Sequence, residues 1–326
     1  MSEPGKNNLI TDIAGIRVGN AHDAAAKTGT SVILCEAPCV GAVAVAGGGP
    51  GTRETDLLES DKLVEHVHAV VLSGGSAYGL AAADGVAARL GAQGQGFALV
   101  DRPDVPKTPI VPAAILYDLA NGGDKSWGDT PPYRDLGQAA LTSADTGSFT
   151  LGAAGAGYGA QAGQCAGGLG SASIVTKDQI SVGALVAVNS FGSVLMPDTD
   201  AFWAWPYEIN GEFGGARPAA DYVADAEDWG AAKQSPQSGE NTTIACIATD
   251  VALTPGQAKR VAQMALAGMA RAIRPVFAPF DGDVIFVLST AKQPLPDPGP
   301  LSLARLGELA ANTLARAIAR GVHLAQ

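Results

Sequence analysis

The hydrophobic positions of this chain change period along its length, and each change predicts an element. Ile10, Ile13, Ile16 and Val18, then the β-branched and apolar runs 30–34 and 40–45, predict β structure over residues 8–46. Residues 69–72 (Ala-Val-Val-Leu) read as a short buried strand that runs through Ser73-Gly74-Gly75-Ser76 into an alanine-rich helix. Residues 111–116 form another apolar strand ending at Tyr117, and 180–188 a third. Residues 151–173, dense in glycine and alanine, predict tight loops. From Thr243 the chain turns apolar again and reads as a buried strand, and 284–288 read as the last one.

Two helices close the pattern. Thr254 followed by Pro255 places an N-cap and an N1 proline, and Ala258, Val261, Ala262, Ala265, Met269 and Ile273 recur three and four apart, so one face packs inward. Arg274-Pro275 ends that helix, and the final one runs from Leu301 to about Arg320. Strands interleaved with helices define an α/β fold of packed layers. The 326 residues are read as one domain, the longest stretch without period being 205–240. A loop of that length inside a compact fold is usually functional or mobile.

Composition narrows the function. With 47% hydrophobic and only 16% charged residues, much of the chain is buried; a net charge of −11 and a pI near 4.7 argue against nucleic acid, which needs clustered Lys and Arg. No apolar run is long enough to span a membrane, and no basic, then apolar leader opens the sequence. Cys35, Cys39, Cys165 and Cys246 are scattered, which fits free thiols in a reducing cytoplasm better than a disulfide framework or a zinc site. With four histidines and no metal-ligand spacing, no metal or cofactor is expected.

Candidate chemistry centres on Gly239-Glu240-Asn241-Thr242-Thr243, where a polar leader meets the buried strand. A turn entering a strand is one reading. The other is a self-cleaving nucleophile: the Thr242 hydroxyl attacks the Asn241 carbonyl, the peptide becomes an ester, and water cuts it. The freed α-amine, with an unperturbed pKa of about 7.7–8.0, then serves as base to its own hydroxyl. Ser76 sits near a strand–turn–helix junction, but Tyr78 stands where a G-x-S-x-G elbow needs glycine, so Ser76 caps the helix or lines a pocket. Asn189, ending the 180–188 strand, is either a turn asparagine or an oxyanion donor. Asp281 and Asp283 flank Gly282 and read as a solvated turn or as the holder of an ammonium. The glycine loop 47–51 lacks the lysine of a phosphate loop and permits close backbone approach instead.

Taken together, Gly48-Gly49-Pro50-Gly51-Thr52-Arg53-Glu54-Thr55-Asp56, Gly74-Gly75-Ser76-Ala77-Tyr78-Gly79-Leu80, Val111-Pro112-Ala113-Ala114 with Tyr117-Asp118, Gly167-Gly168-Leu169-Gly170-Ser171-Ala172-Ser173, Val188-Asn189 with Gly192, Asn241-Thr242-Thr243 and Asp281-Gly282-Asp283 resemble, in order, the L-aminopeptidase D-Ala-esterase/amidase family, which includes β-peptidyl aminopeptidases and nylon-oligomer (6-aminohexanoate oligomer) hydrolases. The resemblance implies a four-layer αββα sandwich of N-terminal-nucleophile type and autocleavage after Asn241, giving chains 1–241 and 242–326. It implies Thr242 as nucleophile, Asn189 at the oxyanion, Asp281 and Asp283 around the Thr242 amine, and Tyr117, Ser76, Tyr78 and Gln164 on the substrate side. It further implies a small amino-terminated amide, peptide or ester as substrate and a tetramer of processed pairs. Gln164 departs from the pattern, since many members carry lysine there and an amide supplies no charge. Three readings therefore stand: an aminopeptidase or amidase, with 6-aminohexanoate-oligomer hydrolysis as a specialised form; an unprocessed or acyltransferase-like relative; and a serine esterase using Ser76.

Overall fold

The computed structural model describes residues 2–100, 102–234 and 241–326. Its strands are β1 (Ile16–Asp23), β2 (Thr28–Val45), β3 (Thr52–Arg53), β4 (His66–Ser73), β5 (Ala113–Ile115), β6 (Gln161–Ala162), β7 (Cys165–Ala166), β8 (Gly168–Val175), β9 (Ser181–Asn189), β10 (Thr242–Val251) and β11 (Val284–Gln293). The helices are α1 (Ala81–Ala92), α2 (Tyr133–Thr142), α3 (Pro255–Ala272) and α4 (Gly299–His323).

Nine strands form one hydrogen-bonded sheet, eight of them in the order β3-β5-β4-β2-β11-β10-β9-β8 and β1 paired to β2 off that path. The path makes two layers because β2 serves both. Its register on β4 breaks between Leu34 and Cys39; the part before the break pairs with β1 and β4, and the part after it keeps β4 only at Cys39 and Val40 and pairs with β11 from Val40 to Val45. Inner faces of the two halves meet in one core, where Ile33, Val70 and Leu72 join Leu185, Ile244, Cys246 and Phe286. The outer face of the β4–β5 half packs Val32, Ala69 and Val71 against Val86 and Leu90 of α1 and Leu136 and Ala140 of α2. The outer face of the other half packs Val186, Ala245, Ile247 and Val287 under α3 and α4. The order helix, sheet, sheet, helix is the expected αββα sandwich, and strict alternation along β10 and β11 is what lets single strands feed two cores.

Helix α3 begins as its sequence predicts: the Thr254 hydroxyl accepts from the Gln257 amide at 3.3 Å, the Gln257 side chain accepts from the Thr254 amide at 2.9 Å, and Pro255 follows the cap. Other segments differ. Residues 10–12 form a turn of 3-10 helix instead of strand, because the Asp12 carboxylate accepts the amides of Asn7 and Leu9 and pulls the chain round. Strand β5 is three residues long where the apolar run is six; Pro112 just before it has no N–H to give a ladder. The 151–173 stretch contains most of a strand, β8, hidden by its glycines. Those glycines let α4 lie directly on the sheet: a Cβ on Gly170 would stand 1.9 Å from the Ala317 carbonyl oxygen. Helix α2 falls in a stretch for which no element is predicted, and α4 is longer at both ends than the 301–320 pattern. In the 205–240 segment the described part holds one 3-10 turn, Trp205–Tyr207, and residues 235–240, including Gly239 and Glu240 of the leader, lie outside the described residues. Cys35, Cys39, Cys165 and Cys246 are free thiols. Among the described residues no helix is long and apolar enough to cross a membrane, and no cluster of His, Cys, Asp and Glu could hold a metal ion.

Candidate active site

The site is built where β10 enters the sheet between β9 and β11. Thr242 is the first residue of β10 and stands directly across the antiparallel ladder from Asn189, the last residue of β9. Asn241 bridges Asp281 in parallel register, so the turn leading into β11 runs alongside the Asn241–Thr242 peptide. Asn241, Thr242, Asp281 and Asp283 are all nearly inaccessible, at 0, 3, 2 and 2% exposure. The solvated-turn reading of Asp281 and Asp283 is therefore corrected: both carboxylates are buried.

The Asn241 carbonyl oxygen is the focus of the arrangement. It accepts the Gly282 amide N–H at 2.9 Å and the Thr242 hydroxyl at 2.5 Å. Gly282 is glycine for a steric reason: a Cβ there would lie 2.7 Å from Thr242 Oγ1 and 2.9 Å from the Gly49 carbonyl oxygen. The glycine loop holds this turn from the other side. Gly49 donates to the Asp281 carbonyl at 2.7 Å and Ala46 to that of Asp283 at 3.0 Å, so the loop is used for close backbone approach.

The two carboxylates differ. Asp283 accepts the amides of Thr243 (2.7 Å) and Phe277 (3.2 Å); burial and the neighbouring Asp281 nonetheless push its pKa up to about 7. Asp281 accepts the Ala278 amide at 2.9 Å and is raised by burial, with Lys233 acting in the opposite direction. Among the described residues, the buried side-chain polar atoms that lack a hydrogen-bond partner concentrate here: Asn241 Oδ1 and Nδ2, Thr243 Oγ1 and Asp281 Oδ1, the others being on Tyr133 and Trp203. Unpaired buried polar atoms cost about 1–3 kcal/mol each, so a cluster of them calls for a functional reason.

Beside Asn189 opens a cavity of about 110 Å³ lined by Tyr117, Asp118, Ala120, Asn121, Gly159, Gln161, Asn189 and Lys233. The Asn189 amide is fixed in its wall, accepting the Gln161 N–H at 2.9 Å and donating to the Tyr117 carbonyl at 3.0 Å. That contact brings Tyr117 to Asn189. Ser76, Tyr78 and Gln164 are outside this wall. Ser76 does not cap a helix: it has φ +51°, opens a 3-10 turn with no side-chain cap bond, and α1 starts only at Ala81. Its neighbour Gly75 donates to Asp118 at 2.7 Å, which ties the turn to the cavity, and Tyr78 packs edge-on to Trp127 at 5.9 Å. Gln164 holds a loop, donating from its backbone to the Ala231 carbonyl (2.7 Å) and from its side chain to that of Ala232 (3.0 Å). Sequence reasoning missed Gly282 and Lys233. The first was visible only as the spacer of Asp-Gly-Asp, and nothing around the second marks it.

Fold and site together define a layered αββα protein with a buried hydroxyl at the mouth of a central strand. The chain belongs to peptidase family S58, whose model matches residues 8–326. An uncharacterised aminopeptidase of Mycobacterium tuberculosis is 40% identical over 98% of this chain and 94% of its own. A 6-aminohexanoate-oligomer endohydrolase of Kocuria sp. is 31% identical over 93% of this chain and 80% of its own. Among solved structures, the β-aminopeptidase of Burkholderia sp. aligns with TM-score 0.69 at 24% identity, covering 98% of this chain and 88% of that one. The L-aminopeptidase D-Ala-esterase/amidase of Ochrobactrum anthropi, described as a variant of the Ntn hydrolase fold, aligns with TM-score 0.70 at 20% identity, covering 98% and 87%.

Proposed function

We propose that the protein is a self-processing amidohydrolase with Thr242 as nucleophile, releasing N-terminal residues from small amino-terminated peptides, amides or esters. The observation that carries this reading is the Asn241 carbonyl, whose oxygen accepts both the Thr242 hydroxyl and the Gly282 N–H. In the first reaction Thr242 Oγ1 adds to the Asn241 carbonyl carbon, and the developing oxyanion keeps the Gly282 N–H as donor. The C–N bond breaks, the hydroxyl proton ends on the departing Thr242 nitrogen, and an Asn241 ester remains on Oγ1. Water hydrolyses that ester, leaving an Asn241 carboxylate and a free Thr242 hydroxyl and amine.

Turnover repeats the chemistry on a substrate acyl group. The Thr242 amine takes the proton from its own hydroxyl as Oγ1 attacks, then returns it to the leaving amine; water resolves the acyl-enzyme. Asp281 and Asp283, on the turn beside Thr242, hold the amine in place. Asn189, across the ladder, offers its side-chain amide to the substrate oxyanion, and Tyr117 borders the substrate. The chemistry asks for no cofactor. Because the more similar relatives are aminopeptidases, peptide-like substrates rank first; the 31% identity to an oligomer endohydrolase supports 6-aminohexanoate oligomers as the second reading.

Purified wild-type chain and Thr242→Ala, assayed against amino-acid p-nitroanilides, β-amino amides and 6-aminohexanoate oligomers, test the proposal. Wild type is expected to cleave at least the first class and the variant none. Turnover by Thr242→Ala at the wild-type rate would end the mechanism.

A further inference from the structure

Gln164 carries no charge, yet its two hydrogen bonds clasp the backbone of Ala231 and Ala232, immediately before Lys233. The clasp is reinforced from the other side. The Lys233 amide donates to the Phe191 carbonyl at 3.1 Å, two residues beyond Asn189. Trp229 of the same loop stands edge-on to Phe191 at 5.9 Å, and Phe191 to Phe280, next to Asp281, at 4.8 Å. The loop from Trp229 to Lys233 is thus fastened at several points to the ends of β9 and of the Asp281 turn, and it delivers Lys233 into the cavity wall with Asn189 and Tyr117. Lys233 is the cation among the residues lining that cavity.

We propose that Lys233 is a functional residue of this site, the counter-charge that keeps the Asp281 carboxylate ionised, and that Gln164 positions it. The inference rests on the proposed nucleophile chemistry, which needs an anion beside the Thr242 amine. Two carboxylates lie on one buried turn, and without a cation the second of them to ionise is opposed by the first. The charged groups acting on Asp281 are Lys233 from the loop and Asp283 from its own turn; the backbone amides of Ala278 and Phe191 also face it, and the Asn241 backbone runs alongside. Lys233 acts on Asp281 in the direction of ionisation, against the burial that raises it, while burial and the neighbouring Asp281 raise Asp283. A lysine on residues 1–241 would then set the charge of an acid on 242–326, linking the two processed chains electrostatically.

The test separates this idea from the nucleophile reading. In the Thr242→Ala background, carboxyl carbon NMR follows the titration of Asp281, assigned by its loss in Asp281→Asn, with and without Lys233→Met. The expected result is an upward shift of about one unit on adding Lys233→Met, the size that losing one nearby opposite charge gives. Lys233→Arg should restore the Lys233 value and Gln164→Ala should move it part of the way. In the processed enzyme the acid limb of kcat is expected to rise in pH with Lys233→Met and to return with Lys233→Arg. An Asp281 titration unchanged by Lys233→Met would overturn the proposal, whether or not the wild-type enzyme hydrolyses amides. Inactive wild-type protein with a shifted titration would leave the counter-charge standing and sink the nucleophile reading.

Discussion

Two buried acids lie near the same cavity and are treated oppositely by the fold. Asp118 has both oxygens engaged, accepting the Thr28 hydroxyl at 2.6 Å and the Gly75 amide at 2.7 Å; burial still raises its pKa, and these bonds act against that rise. Asp281 has one oxygen engaged and one without a hydrogen-bond partner, next to an Asn241 side chain with neither polar atom paired. A satisfied buried acid is scaffolding; here it pins the 73–80 turn to the start of β2. A cluster of unsatisfied groups around one peptide bond is stored cost, and it sits where the proposed reaction breaks that bond.

The comparison can be broken in order of effect. Gly282→Ala puts a methyl against Thr242 Oγ1 while keeping the amide donor, and is expected to slow processing by about 100-fold or more, the scale of a disrupted oxyanion site. Time-resolved denaturing gels measure it; processing at the wild-type rate would remove Gly282 from the mechanism. Asp283→Asn acts on pH dependence. Because the folded pKa lies near 7, above the ordinary carboxylate value near 3.9, the folded state binds the extra proton between those values. The stability contributed by protonated Asp283 is complete below about pH 4 and is lost as pH rises through about 7. Urea titrations of Thr242→Ala between pH 4 and 8 should show stability falling with pH through this group, and the slope should flatten in Asp283→Asn.

Asp118→Asn turns one acceptor into a donor facing a donor and should destabilise the chain by about 1–3 kcal/mol while the Asn241–Thr242 bond is still processed. Asn241→Ala, made on Thr242→Ala, should shift stability by less than about 1 kcal/mol, because relief of an unpaired buried amide opposes the cavity left behind. If Asn241→Ala destabilises as much as Asp118→Asn, the contrast between satisfied and unsatisfied groups fails.

The layered fold was legible because β10, β11 and α3 obey their periods and α3 carries a complete cap. Strand β8 was not, since its glycines exist to admit α4 and erase the apolar pattern of a strand. In the site, Thr242, Asn189 and the two aspartates were readable from the ordered motifs and the change from polar leader to buried strand. Their burial was not readable, because Asp-Gly-Asp spells a surface turn until the glycine loop is packed against it. Lys233 was illegible for a different reason: it reaches the cavity through an irregular loop held by backbone carbonyls and aromatic edges, and such contacts leave no spacing in the sequence.

The central claim is that the Asn241–Thr242 peptide is cut by its own threonine. Its most direct test is the intact mass, under denaturing conditions, of freshly purified wild-type protein beside Thr242→Ala. The account predicts two wild-type species, the smaller beginning at Thr242, and a single 32.7 kDa chain less one side-chain change for the variant. Wild-type protein that stays whole over days, or a variant that splits at the same bond, would contradict it.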